Sequence, residues 1–157
     1  MIMIANVSSD LRIINDVKEF QTELTKVAYG DLTLLPNLES NQKKGYGIFM
    51  STNSATFFDL AGTDFKAIVN KEELAGFKGA IAIGGKFIAA SLSTKGVKIF
   101  SLDVANNKLK VEASFNSSSF KLSKIDVQDL SYDPNRKILF ILDHHTGVIP
   151  VKVSING

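Results

Sequence analysis

A unit recurs every 49 residues in this chain, and repetition at that spacing leaves few architectures open. The segment Gly30-Asp31-Leu32-Thr33-Leu34-Leu35-Pro36 returns as Gly79-Ala80-Ile81-Ala82-Ile83-Gly84-Gly85 and again as Gln128-Asp129-Leu130-Ser131-Tyr132-Asp133-Pro134. In each copy two large apolar residues stand two apart: Leu32 and Leu34, Ile81 and Ile83, Leu130 and Tyr132. A small residue lies between them and a turn-former follows, which is the pattern of a short strand running into a turn. The first and third copies align further back without a gap, Asp10–Pro36 against Lys108–Pro134, with six identities in 27 positions.

Behind each turn come two more apolar runs separated by a tight polar loop. They are Gly47–Met50 and Thr56–Leu60, Phe87–Ala90 and Val97–Leu102, Ile138–Leu142 and Val148–Val153. A more polar fourth strand is expected at Leu11–Ile14, Phe65–Val69 and Leu109–Val111. Each repeat therefore reads as a four-stranded antiparallel meander, and the chain as all-β.

Four-stranded units of about 40 to 50 residues are the signature of β-propeller blades. On Gly96-Val97-Lys98-Ile99-Phe100-Ser101-Leu102 and Gly147-Val148-Ile149-Pro150-Val151-Lys152-Val153, each a glycine followed by an alternating strand, the chain resembles the WD-like and LVIVD-type β-propeller repeats more than kelch. Asp129–Lys137 is similar to the inner-strand and turn segment of such blades, although the Trp-Asp dipeptide of true WD repeats is missing. The resemblance implies about three four-stranded blades in one segment spanning 1–157. Residues 1–35 hold the outer strand of a shared blade plus a connector, 30–78 and 79–127 each form a blade, and 128–157 form a blade lacking its outer strand. Propellers usually close with four to eight blades, so three imply a partial ring, either half of a six-bladed ring made by two copies or a fragment of a longer propeller.

One stretch competes with this reading. Val17, Phe20, Leu24 and Val27 have helical spacing, with Asp16 and Glu19 as a capping pair and Gly30 beyond the end, which predicts a short connecting helix or loop over 16–28. A second turn of helix is expected at Lys71–Ala75.

Composition removes several functional classes. Eighteen Lys and Arg against sixteen Asp and Glu, scattered along the chain, concentrate no field for a phosphate backbone, so nucleic acid is not an expected partner. The chain has no cysteine, hence no disulfide, thiolate metal site or cysteine nucleophile. No window approaches the roughly 18 apolar residues of a membrane-spanning helix.

Two strings suggest chemistry. Ile141-Leu142-Asp143-His144-His145 resembles the signature of the Asp-His-His phosphoesterases, in which aspartates and histidines at a strand end hold two divalent metals. That family also needs an upstream Asp-x-Asp, whereas the chain offers only Asp126-Val127-Gln128-Asp129, so a polar turn is the simpler reading and neither metal nor cofactor is expected. Gly79–Phe87 has glycines like a phosphate loop, but Lys86 comes one residue late and Phe87 stands where a Ser or Thr should be. Asp31 and Asp129 open inner strands at equivalent positions, and their repetition favours capping of backbone donors over catalysis.

The expected function is that of a non-catalytic protein-interaction scaffold. By the propeller resemblance, loops at one end of the blades would bind, displaying Lys95, Asp143, His144, His145, Glu72, Glu73 and the stretch Ser117–Phe120. The partner would be another protein or other blades of the same assembly, in a homo-oligomer or a longer chain. The alternatives are a metal-dependent hydrolase using Asp143, His144 and His145, and a glycan-binding ring using Tyr29, Tyr46 and Tyr132. Lys43 and Lys44, in an insertion over 37–45, are further candidate contacts.

Overall fold

The computed structural model describes residues 2–7, 14–20, 30–35, 45–52, 54–59, 65–69 and 72–154. The described residues form an all-β chain of consecutive antiparallel meanders. The opening hairpin pairs β1 (Ile2–Val7) with β2 (Ile14–Phe20). The first four-stranded sheet runs β3 (Gly30–Leu35), β4 (Tyr46–Ser51), β5 (Ser54–Asp59) and β6 (Phe65–Val69) in spatial order. The second repeats that order with β7 (Gly79–Gly84), β8 (Phe87–Ser91), β9 (Val97–Asp103) and β10 (Lys108–Phe115). After a single 3-10 turn at Ser118–Phe120, the third sheet has three strands, β11 (Val127–Asp133), β12 (Ile138–Asp143) and β13 (Gly147–Lys152).

The helix expected over 16–28 is corrected at its start: Asp16 to Phe20 lie in β2, and 21–29 fall outside the described residues. The pairing of Ile2 with Phe20 and of Ile4 with Lys18 supplies backbone hydrogen bonds that a helix would have to forgo, and tertiary pairing overrides a weak local periodicity. Of the outer strand expected at Leu11–Ile14, Ile14 lies in β2, and 11–13 fall outside the described residues. The helical turn expected at Lys71–Ala75 is a run of turns over 72–76 instead, closed where the Phe77 N–H donates to the Leu74 carbonyl at 3.1 Å. Gly76 there has a φ of +88°, a backbone state that a side chain resists.

The sheets stack through their first strands: β3 lies against β7, and β11 lies against β7 and β8. Between the first two sheets, Leu35, Ile48, Met50 and Phe57 pack with Ile88, Ala90, Phe100 and Leu102. Between the second and third, Ile83, Ala89, Val97 and Ile99 pack with Val127, Leu130, Leu139 and Ile141. The inner strands of the middle sheet are therefore covered on both faces, which is why β7 and β8 carry nearly unbroken apolar runs in place of alternation. At about 1.5–3 kcal/mol for each large side chain buried, these two cores are the main stabilising contribution.

Register corrects one detail of the repeat. Thr33 faces β7, and its 98-residue counterpart Ser131 holds the matching position in β11. In the middle copy Ala80 packs towards the first sheet while Ile83 packs towards the third. The 49-residue alignment thus sets Ile81 and Ile83, which pack towards the third sheet, against Leu32 and Leu34, which are exposed on the side of β3 away from Thr33. A shift of one residue exchanges the faces of a strand, and the sequence places apolar side chains on both.

Candidate functional site

β12 carries apolar residues up to Leu142 and ends at Asp143, whose pairing with Gly147 closes a tight hairpin. Gly147 has a φ of +88°, the state that lets the chain reverse there. Asp143 is buried with 1% of its surface exposed. One of its oxygens accepts the Asp126 N–H at 2.6 Å, and the other accepts the His145 N–H at 3.1 Å and the Thr146 N–H at 2.7 Å. Burial disfavours its charge, but the bonds from Asp126, Thr146 and His145 outweigh that and hold the carboxyl below the ordinary carboxylate range. A carboxylate committed to three backbone donors is a turn-stabilising group. Asp133 does similar work at the end of β11, accepting from the N–H groups of Asn135 and Arg136 at 2.9 and 3.0 Å.

Asp126 ties this turn to the one before it. Its carbonyl accepts the His144 N–H at 2.9 Å, and its carboxylate accepts the Ser93 hydroxyl at 2.8 Å. Ser93 also receives the Val127 N–H on its carbonyl at 3.1 Å, and its φ of +53° bends the β8–β9 turn that presents Lys95. That turn closes at Gly96, where φ is +90° and an added Cβ would run into the Phe115 carbonyl oxygen. On its other side stands the 72–76 turn, since a Cβ on Gly76 would lie 2.7 Å from the Leu92 carbonyl oxygen. Glu73 forms an ion pair there with Lys98 of β9.

The turns carrying Glu72, Glu73, Lys95, His144 and His145 are thus linked at one end of the stack. Glu72, Lys95, His144 and His145 are exposed, and the two imidazoles meet edge to face with centroids 5.1 Å apart. Asp143 is the exception among the sequence candidates, being internal. Asp126 and Ser93 went unrecognised in the sequence because their role depends on a contact between two sheets. Ser118–Phe120 forms a 3-10 turn with Phe120 packed 6.2 Å from Phe115.

Among the described residues, no group of three His, Asp or Glu side chains converges as a metal site would require. Tyr46 is buried in the first core, edge-on to Phe57 at 6.4 Å, and cannot stack on a sugar. Tyr29, Lys43 and Lys44 lie outside the described residues. Gly79–Gly84 is strand β7 and Gly85 occupies its turn with φ +52°, so those glycines serve a hairpin. An open apolar groove of about 220 Å³ lies elsewhere, on the third sheet, lined by Asp129, Leu130, Ser131, Phe140, Leu142 and Val148.

Comparison of the chain with protein-family models, with curated proteins and with solved structures finds no match.

Proposed function

We propose that the chain is an arc of a β-propeller, three blades long, that acts as a non-catalytic scaffold for a protein partner. The observation that carries this reading is the serial contact of first strands, β3 with β7 and β7 with β11, each opening a meander that runs away from the contact. Blades arranged round a channel meet in that way, with the innermost strands closest. A rigid stack presenting linked turns at one end is suited to recognition, because the loops are held by bonds such as Ser93 to Asp126 and need little ordering on binding.

The binding surface is the end bearing Glu72, Lys95, His144 and His145. It combines both charge signs with two imidazoles, a composition suited to a polar protein surface. Site-specific photo-crosslinking tests this. A crosslinker at Lys95 or His144 should capture one protein stoichiometrically, while one at exposed Asn106, in the β9–β10 turn, should not. Equal capture at both positions contradicts the assignment. Stoichiometric zinc or manganese in the purified protein, lost on replacing His144 and His145 with Ala, turns the reading to a hydrolase.

A further inference from the structure

The first and third sheets carry the same pair of polar side chains, and only one pair has something to hold. In the first sheet, Asp31 uses one oxygen for the Leu32 N–H at 2.8 Å and the other for the Ala80 N–H of β7 at 3.0 Å. Thr33 donates its hydroxyl to the Ala80 carbonyl at 2.9 Å, so both backbone groups of one β7 residue are gripped from β3. The third sheet repeats this 98 residues on. Asp129 accepts the Leu130 N–H at 2.8 Å on one oxygen, and its second oxygen accepts nothing among the described residues. Ser131 stands where Thr33 does.

The surrounding face is equivalent too. Cross-strand pairing sets Asp31, Met50 and Ala55 in one row and Thr33, Ile48 and Phe57 in the next. It likewise sets Asp129, Leu142 and Val148 in one row and Ser131, Phe140 and Pro150 in the next. The first face is sealed, with Met50, Ala55 and Ile48 wholly buried. The second is open, with Leu142 43% and Val148 61% exposed. On the far side of the first sheet only the β3 strip is exposed, Leu32 at 51% and Leu34 at 53%, while Thr56 and Phe58 in the same cross-strand rows are buried; Leu130, the 98-residue counterpart of Leu32, is 7% exposed.

Resting on the propeller reading, we infer that the β11–β13 face binds the exposed Leu32–Leu34 strip of β3 in a second copy of this chain, with Asp129 and Ser131 gripping backbone groups of that strand. The contact continues the existing stack of sheets by one more interface of the same kind. Each copy exposes one β11–β13 face and one Leu32–Leu34 strip, so two copies related by a two-fold axis satisfy all four in a closed ring.

The experiment is solution mass by light scattering, with a single-cysteine exchange as its partner. The wild-type chain should be a dimer, and Leu142→Lys with Val148→Lys should give monomers whose circular dichroism is unchanged. The native chain has no cysteine, so Ser131→Cys chains mixed with Leu32→Cys chains report unambiguously. Oxidation should give the mixed disulfide and not either homodimer. A wild-type monomer, a dimer that survives both lysines, or failure of the mixed disulfide overturns the proposal. The propeller reading is checked separately by a Thr33→Cys, Ala80→Cys double variant. If that intramolecular disulfide forms while the chain is monomeric, the second-copy docking fails alone and the open faces belong to a different partner or to further blades. If it does not form, both readings fail.

Discussion

The sheet that opens with Asp31 and the sheet that opens with Asp129 are built alike and end differently. In the first, Asp31 and Thr33 close on Ala80 and the apolar rows beside them are dry. In the third, Asp129 and Ser131 stand over an open groove edged by Leu142 and Val148. The difference is one of cover alone: the same polar pair beside apolar rows is covered in one sheet and exposed in the other. A solvated sheet face ordinarily alternates towards charge, whereas this one keeps the composition of a buried one.

The contrast is broken most sharply at the apolar rows. Phe100→Ala, between the first two sheets, should cost about 4 kcal/mol, as large-to-small changes in a sealed core do. Leu142→Ala should change the stability of the monomeric chain by no more than about 0.5 kcal/mol, since there is no cavity to open. Urea titration of both separates the faces, and comparable losses would show that the third sheet's face is covered.

Next in size is the linked end of the stack. Asp143→Asn leaves backbone donors facing an amide and should cost about 2 kcal/mol. Because Asp143 is held below its ordinary range, the unfolded chain binds its proton more readily. Its contribution is therefore complete above the unfolded value of about 3.9 and drains away as pH falls through the lower folded value. Acid titration of stability should show this slope in the wild type and a flatter curve in Asp143→Asn.

Two turn glycines sharpen the comparison further. Gly96 and Gly147 close equivalent hairpins with φ of +90° and +88°, but only Gly96 has a carbonyl oxygen where the Cβ would go. Gly147→Ala should cost about 1 kcal/mol from backbone strain alone. Gly96→Ala should exceed it, and thermal melts of the two variants give the order. The smallest effect separates the two aspartates. Asp31→Ala leaves the Ala80 N–H unpaired and should cost about 1 kcal/mol, while Asp129→Ala should leave the monomer's stability within about 0.5 kcal/mol.

These contrasts also explain what could be read in advance. Strands β3 to β13 fall on the expected apolar runs, with β10 longer than the expected Leu109–Val111, and the capping role of Asp31 and Asp129 was legible because a catalytic group has no reason to recur at the equivalent place in a second unit. The middle copy's register was not legible. Ala80, Ile81, Ala82 and Ile83 are all apolar, as a strand covered on both faces requires, and nothing in such a run tells one face from the other. Asp16–Phe20 misled for a related reason: its helical spacing is local, and the strand that recruits it lies at the start of the chain. Candidate turns were visible from Gly, Ser and Asp, but their meeting at one end depends on Asp126, whose bonds cross between sheets.

Amide hydrogen exchange at Ala80 tests the serial contact of first strands most directly. That N–H should be strongly protected in the wild type and should lose protection in Asp31→Ala while amides in β9 keep theirs. Exchange at Ala80 as fast in the wild type as at Thr94, in an exposed turn, would mean that β3 does not hold β7 and that the sheets are not stacked through their first strands.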